Sequence, residues 1–187
     1  MDIQKIEEAV KNLILALGYD INSPELIKTS NRAAKMYAEM FEGTLYTNDE
    51  IAEKFNTTFN EQTSNDMVLI KDIGFFSFCE HHFALMYNMK AHIAYKPKDK
   101  IIGLSKVARI VRLVSKRFQL QERMGNDIVY ILKQILQTDD IMVIIDGEHS
   151  CMTARGIKSE GSSTRTITAS GVFLENPAEK QEVLLCI

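Results

Sequence analysis

The first part of the chain carries apolar residues at helical spacing. From residue 3 to residue 17 they recur on one helical face, and Gly18 follows as a natural helix end, which predicts an amphipathic helix. Pro24 stands where a second helix can begin, and this helix is expected to reach about Phe41. The chain is therefore predicted to begin with a pair of helices.

A polar stretch at residues 56–66 separates this helical part from the rest of the chain. Before it, residues 48–54 are predicted to form one further short helix. The stretch itself has the composition of a loop. We therefore expect two parts, an N-terminal helical arm at residues 1–60 and a second domain at residues 61–187.

The second domain changes to short apolar runs and alternating patterns, which are typical of strands. Two helices are expected in its middle, over residues 105–117 and 121–136, and a short helix is expected after Pro177. The predicted strands cover residues 67–70, 75–79, 91–95, 141–145 and 164–168. Because strands and helices are grouped rather than alternating one by one, the order predicts an α+β fold with a largely antiparallel sheet.

Composition narrows the class of protein. A length of 187 residues and a hydrophobic content of 45% are enough to bury a core. No apolar run is long enough to span a bilayer, and the first residues lack the pattern of a signal peptide. Two of the three cysteines stand near histidines, which favours a reducing compartment, so we expect a cytoplasmic protein without a membrane segment.

The charge is unevenly distributed along the chain. The net charge of −3 argues against a general affinity for nucleic acid. Between Lys96 and Arg123, however, nine basic residues stand against two acidic ones. A basic segment on an acidic protein indicates a small anionic ligand. A solvated helix face explains the same charges, and charge alone favours that simpler interpretation.

The clearest candidate chemistry is a set of soft-metal ligands. Cys79 and His82 are three residues apart, so a single turn can bring both onto one ion, and Cys151 offers a second thiol later in the chain. We interpret these three as the ligands of one zinc ion, flanked by His81 and His149. Three ligands leave a fourth position for water, whose pKa zinc lowers to about 7.

Other interpretations of the ligand residues are open. A single cysteine or histidine is more often a packing residue than a ligand, and only the combination of the two motifs favours a metal site. Cys186 is not expected to ligate the ion, because no partner motif accompanies it. The zinc nucleoside deaminases are an alternative, but their His-x-Glu and Pro-Cys-x-x-Cys motifs are absent.

A second candidate site lies at the start of the first middle helix. Ser105 is a suitable N-cap, and free backbone N–H groups at a helix start attract phosphate oxygens. Lys106 and Arg109 are three residues apart and share one helix face, so they predict a polyphosphate site, and Arg155 is a further candidate cation. An ordinary capped basic helix explains the local pattern equally well.

The pair Gln121 and Glu122 stands at the start of the second middle helix. A carboxylate accepts from both N1–H and the 2-amino group of guanine, a donor pair that adenine lacks. Glu122 would then select guanine, and the amide of Gln121 would add contacts. A helix N-terminal acid that interacts with the helix dipole is the simpler alternative.

Taken together, these motifs resemble the GTP cyclohydrolase I family. The resemblance covers roughly residues 25–173 and extends to the threonine-rich and Gly-Val-Phe segments near its end. The motifs, in chain order, are Cys79-Glu80-His81-His82, Gly103-Leu104-Ser105-Lys106 with Arg109, Gln119-Leu120-Gln121-Glu122-Arg123, and His149-x-Cys151-Met152-x-x-Arg155-Gly156.

The resemblance implies a fold and an activity. The fold is the tunnelling fold (T-fold), with an antiparallel sheet, two packed helices and an N-terminal helical arm. The family forms homodecamers of two pentamers with active sites between subunits. Its members convert GTP and water to formate and 7,8-dihydroneopterin triphosphate, the first step towards folate or tetrahydrobiopterin. The alternative is a T-fold protein that binds a purine or pterin without catalysis or with another specificity.

The resemblance also implies residue roles. The zinc ligands would be Cys79, His82 and Cys151. The catalytic residues would be His149, which protonates the purine, His81, which aids proton transfer, and Ser105. The residues that bind the guanine, ribose and triphosphate would be Gln121, Glu122, Lys106, Arg109, Arg155 and Arg32.

Three departures from the family pattern stand out. Ser30 follows Thr29 where relatives commonly have proline, and the hairpin at residues 83–89 lacks the usual Pro and Gly and is one residue longer. Gly125 lies inside a predicted helix, where glycine costs up to about 1 kcal/mol relative to alanine. None of these departures changes a proposed site residue.

Overall fold

The computed structural model describes residues 1–60 and 66–187. The chain divides into two compact units, Met1–Leu45 and Tyr46–Ile187. The first unit contains α1 (Ile3–Ala16), α2 (Thr29–Met40) and a 3-10 helix (Glu42–Leu45). The second unit contains β1 (Thr58–Asn60), β2 (Val68–Cys79), β3 (Ala84–Tyr95), β4 (Lys100–Ile102), β5 (Phe118–Gln119), β6 (Ile141–His149) and β7 (Thr164–Ala169). Its helices are α3 (Asn48–Lys54), α4 (Leu104–Ser115), α5 (Gln121–Leu136), α6 (Ser150–Thr153), α7 (Val172–Glu175) and α8 (Pro177–Leu185).

The first unit is a helix pair, as the apolar spacing predicts. Helix α1 packs against α2, and Asn31 Nδ2 donates a hydrogen bond to Glu7 Oε2 at 3.0 Å. The prediction that Pro24 opens the second helix is wrong. The N–H groups of Leu26 and Ile27 both donate to the carbonyl of Ser23, and the resulting turns delay the start of α2.

The short helix α3 belongs to the second unit, although the sequence suggested that it was part of the arm. Its start is fixed by a capping box between Thr47 and Glu50. Its inner face buries Ile51 and Ala52 in the core of the second unit. The two units therefore divide after Leu45. The boundary expected between residues 60 and 61 falls at the edge of the described part of the chain, because residues 61–65 lie outside it.

Part of the expected loop at residues 56–66 is a strand. Within it, Thr58–Asn60 forms β1 and pairs antiparallel with β4, so that Phe59 lies opposite Ile101. These two strands make a small sheet of their own. A three-residue strand has no periodic pattern of its own, which explains why the sequence did not reveal it.

The main sheet has the strand order β5-β2-β3-β6-β7. Its β2–β3, β3–β6 and β6–β7 pairs are antiparallel, and only the short β5 runs parallel to its neighbour. The predicted strands at 67–70 and 75–79 are one strand, interrupted by a register shift between Ile70 and Ile73. Asp72 sits at this irregularity with φ of 57°.

The apolar run of β6 is explained by a sheet that is covered on both faces. Ile141, Val143 and Ile145 contribute to the larger core, to which α4 and α5 also contribute. Met142 and Ile144 point to the opposite face, where Phe173 and Val183 of the C-terminal helices are buried. A strand buried on both sides reads as continuously hydrophobic rather than alternating.

The structure confirms the predicted α+β class and largely antiparallel sheet. Two helices packed on one face of that sheet are also the arrangement expected for a T-fold. No helix among the described residues is both long enough and apolar enough to cross a membrane.

Candidate active site

Three soft ligands from distant parts of the chain meet at one end of the sheet. Cys79 ends β2, His82 lies in the following turn and Cys151 lies in α6. Their ligand atoms all lie within 4.8 Å of one another. Two sulfur atoms and one imidazole nitrogen this close together can hold a single soft or borderline metal ion.

The sheet explains why these residues meet. Cys79 pairs with Ala84 at the closed end of the β2–β3 hairpin. Further along β3, Met86 pairs with His149, the last residue of β6. Both the hairpin turn and the start of α6 therefore emerge at the same end of the sheet, with β3 between them.

The two cysteines influence each other. Burial raises the pKa of the Cys151 thiol, and the neighbouring Cys79 raises it further, while Arg155 opposes this shift. Two adjacent thiols resist losing both protons, because the resulting thiolates repel each other. A bound cation would remove this repulsion, so the donor set suits a metal ion.

The turn that carries His82 is tied to α5 by an ion pair. Arg123 donates to both carboxylate oxygens of Glu80, at 2.6 and 2.9 Å. In the same turn, His81 Nδ1 lies 3.9 Å from Cys79 Sγ. His81 is exposed, as is His82. The turn thus contributes the His82 imidazole to the group of potential metal ligands and places the His81 imidazole beside it.

His149 is held by a buried amide. Its Nε2 lies 2.8 Å from Gln121 Oε1, and burial lowers the pKa of the imidazole, with Glu122 opposing that shift. Gln121 Nε2 donates to the carbonyls of Ile145 and Thr164 at 2.8 and 3.0 Å. The Gln121 side chain therefore faces inward, towards β6, β7 and His149.

Glu122, the next residue, has the opposite orientation. It is exposed in the first turn of α5. It borders an open depression of about 430 Å³, whose other lining residues include Asn126, Thr166, Leu174 and Lys180. Among residues 1–60 and 66–187, no hydrogen bond or ion pair engages this carboxylate, so the described part of the chain leaves it available to a ligand.

The predicted N-cap role of Ser105 is wrong. Helix α4 begins at Leu104, and its N-cap is Gly103, with no side-chain capping bond. Ser105 lies in the first turn and is exposed. The chain turns into the helix through a bond from the Lys106 N–H to the Gly103 carbonyl at 2.8 Å, so the hydroxyl is not needed as a cap and stays available.

The candidate cations are not neutralised by the described part of the protein. In residues 1–60 and 66–187, no hydrogen bond or ion pair engages the side chains of Lys106, Arg109, Arg155 or Arg32. Arg109 and Arg155 are exposed in the second unit, and Arg32 is exposed on α2 of the first unit. Cations without acidic partners are suited to an anionic ligand.

The sequence did not reveal the contact that fastens α6. Tyr87 Oη and Thr153 Oγ1 lie 2.9 Å apart, and Thr153 Oγ1 also donates to the His149 carbonyl at 3.3 Å. The bond joins the strand next to β6 with the short helix that carries Cys151. A Tyr and a Thr 66 residues apart carry no motif, so only the register of β3 and β6 reveals the pair.

Sheet, packed helices and ligand cluster together define a T-fold protein with a Cys/His/Cys metal-type site. Comparison with protein families matches residues 6–187 to GTP cyclohydrolase I. The chain belongs to the GTP cyclohydrolase I family.

Similar proteins span the same length. GTP cyclohydrolase 1 of Clostridium botulinum (strain Kyoto / Type A2) is 51% identical over 190 residues, which cover 99% of this chain and 97% of that protein. GTP cyclohydrolase 1 of Clostridium beijerinckii is 50% identical, with coverage of 99% and 96%. The protein of the same name from Ruminiclostridium cellulolyticum is 52% identical over 178 residues, which cover 92% of this chain and 91% of that protein.

Proposed function

We propose that this protein is a zinc-dependent GTP cyclohydrolase, which converts GTP and water to formate and 7,8-dihydroneopterin triphosphate. The observation that carries the proposal is the meeting of Cys79, His82 and Cys151 within 4.8 Å. Family membership and the names of the relatives at about half identity support the same activity. The product would be the first intermediate towards folate or tetrahydropterins.

The proposed ion is zinc, with Cys79, His82 and Cys151 as its ligands. Zinc prefers sulfur and imidazole nitrogen, and three protein ligands are typical of its catalytic sites. When bound in this way, zinc supplies a Lewis acid and an open position at which water has a pKa of about 7. The side-by-side placement of the two thiols supports the proposal, since a cation would offset the mutual repulsion of their thiolates.

Proton transfer is assigned to the two histidines that do not ligate the ion. His149 would donate a proton to N7 of the purine while C8 is attacked by water. Its fixed position and partial burial support this role, because a proton donor must be held within hydrogen-bond reach of its target. His81 would assist later proton transfers, since its exposed imidazole lies beside Cys79.

Substrate recognition is assigned to exposed charged groups. Glu122 would accept from N1–H and the 2-amino group of guanine, and Ser105 would hydrogen-bond the ribose. The triphosphate would be bound by Lys106, Arg109, Arg155 and Arg32, whose side chains have no acidic partner among the described residues. The inward orientation of Gln121 leaves base recognition mainly to Glu122.

The proposal includes an assembly and a location. We propose a homodecamer of two pentamers, on the basis of the resemblance to this family, and light scattering of the purified protein would measure its mass. A cytoplasmic location is supported by three cysteines that are all free thiols in the structure.

Formate release from GTP is the direct test of the activity. Zinc-loaded protein is expected to release formate and a fluorescent pterin from GTP, but no formate from ATP, because Glu122 finds no donor pair on adenine. Chelator-treated protein is expected to be inactive until zinc is restored. Binding of GTP without formate release from the zinc-loaded protein would instead indicate a non-catalytic T-fold protein.

A further inference from the structure

Gln121 is the first residue of α5, yet its side chain is almost completely buried, at 2% exposure. The amide reaches three separate groups. Nε2 donates to the main-chain carbonyls of Ile145 on β6 and Thr164 on β7, and Oε1 lies 2.8 Å from His149 Nε2. One side chain thus connects a helix start, two strands and the proposed proton donor.

These neighbours determine where the NH₂ group and the oxygen of the Gln121 amide lie. The carbonyl oxygens of Ile145 and Thr164 can only accept hydrogen bonds, so the group facing them must be the NH₂. The reverse orientation would place the amide oxygen against two carbonyl oxygens, with no hydrogen between them to form a bond. The group facing His149 is therefore the amide oxygen, which can only accept.

It follows that His149 carries a hydrogen on Nε2. A neutral imidazole has a single N–H, so its other nitrogen, Nδ1, is left with a free lone pair. Within the described part of the chain, no hydrogen-bond partner faces Nδ1. The protein thereby selects one tautomer of His149 and leaves Nδ1 available.

We propose that Gln121 is a positioning residue that fixes the tautomer and ring orientation of His149, so that Nδ1 is the atom that exchanges a proton with the substrate. This inference rests on the proposed cyclohydrolase function for the identity of the proton acceptor. Gln121 itself does not contact the substrate. Its role therefore differs from the guanine contact that the sequence suggested.

The surroundings support a requirement for glutamine at this position. A glutamate could still accept from His149, but its second carboxylate oxygen would lie against the carbonyl oxygens of Ile145 and Thr164, neither of which can donate to it. Gly147, opposite Thr164 in the β6–β7 pair, lies beside this amide. A Cβ atom at Gly147 would lie 3.5 Å from Gln121 Oε1 and 3.0 Å from the Met89 side chain.

A kinetic comparison separates positioning from base recognition. Gln121→Met keeps the size of the side chain and removes its hydrogen bonds. In zinc-loaded protein, this variant is expected to lower kcat by about tenfold or more, since general acid catalysis is worth about 10²–10⁴. The KM for GTP is expected to stay within about twofold of wild type, and the zinc content is expected to be unchanged.

Gln119 provides a matched control. It is equally buried, at 1% exposure, and its amide donates to the Val114 carbonyl and Asp127 rather than to His149. Gln119→Met should destabilise the fold but leave kcat within about twofold of wild type. An increased KM with unchanged kcat in Gln121→Met, or equal losses of kcat in both variants, would overturn the positioning role.

A spectroscopic measurement tests the tautomer without relying on activity. ¹⁵N-histidine labelling of the zinc-loaded wild-type protein at about pH 8, above the ordinary histidine pKa, should show His149 protonated at Nε2 and not at Nδ1. His149→Gln identifies the signal by its loss. Protonation of His149 at Nδ1 would overturn the positioning role of Gln121, even if the enzyme is active. The expected tautomer in a wild-type protein that releases no formate would instead refute the proposed function.

Discussion

Thr168 on β7 lies so close to Gly125 on α5 that a Cβ atom on the glycine would overlap the Thr168 hydroxyl. The sequence alone presents Gly125 as a weakness, because glycine in a helix interior costs up to about 1 kcal/mol relative to alanine. The structure shows why the glycine is needed. It allows α5 to approach the strand that Gln121 also contacts.

Gly125→Ala is therefore expected to destabilise the protein, although the same change in an open helix would stabilise it. The overlap with Thr168 must be relieved by moving α5 or β7, and such overpacking typically costs about 1–3 kcal/mol. Urea unfolding of the two proteins would measure the difference in free energy.

Two further variants isolate the cause. A Cβ atom added at Gly74 in β2 would meet no neighbouring side chain or backbone atom within 4 Å, so Gly74→Ala serves as a glycine control and should change stability by less than about 0.5 kcal/mol. Thr168→Ala removes the overlapping hydroxyl. Combined with Gly125→Ala in a double variant, it should recover part of the lost unfolding free energy. If Gly125→Ala is as stable as wild type, the close approach is not a constraint on the fold.

Cys151→Ala is expected to lose both bound zinc and formate release, because a two-ligand site would remain. Zinc per chain by elemental analysis and formate release from GTP would measure the two effects. Cys186→Ala is the matched control, because Cys186 is an exposed free thiol that is not part of the ligand cluster. Retention of zinc in Cys151→Ala would remove this residue from the ligand set.

Glu122→Ala is expected to weaken GTP binding while leaving zinc in place. Loss of a charged hydrogen-bond partner typically costs about 1.5–3 kcal/mol, or roughly tenfold or more in affinity. Calorimetry with zinc-loaded protein would measure the dissociation constant, and Glu182→Ala, an exposed acid on α8, serves as the charge-matched control. An affinity equal to that of the control would exclude Glu122 from base recognition.

His92→Gln is expected to reduce the sensitivity of the fold to mild acid. Burial lowers the pKa of His92 below its ordinary 6.5, while Asp72 and Asp146 oppose the shift and Arg165 and Lys90 add to it. Below pH 6.5 the unfolded chain therefore binds the proton more readily than the folded chain, and stability falls as the pH decreases.

Unfolding free energies at several pH values would measure this contribution. Wild type should lose more stability than His92→Gln between about pH 7 and pH 5, the range in which an ordinary histidine becomes protonated. His149 also has a lowered pKa, so some pH dependence of the same sign should persist in the variant. Equal slopes in the two proteins would show that His92 is protonated as readily in the folded as in the unfolded chain.

The ligand cluster was predictable because its residue types are rare in this chain. Three cysteines and four histidines offer few combinations, and the spacing of Cys79 and His82 already favours one turn. The fold class followed from the grouping of helices and strands. These features depend on residue type and order, so they can be predicted without knowledge of three-dimensional contacts.

Other features depend on tertiary contacts. The direction of the Gln121 side chain is set by carbonyl groups on β6 and β7, which no local pattern specifies. Likewise, β1 exists because β4 pairs with it, some 40 residues later. The cap of α4 was misjudged by two residues because Gly103 supplies the turn through its backbone alone.

The arrangement of Cys79 and Cys151 on either side of β3 has a consequence for biosynthesis. The first two ligands leave the ribosome together, but the second sulfur is synthesised about seventy residues later and reaches the others only when β6 is paired with β3. A nascent hairpin, with two of the three ligands, would therefore hold a metal ion only weakly. Tight binding of a metal ion would require β6 to be paired with β3, so that retention of the ion would mark chains in which this pairing has formed.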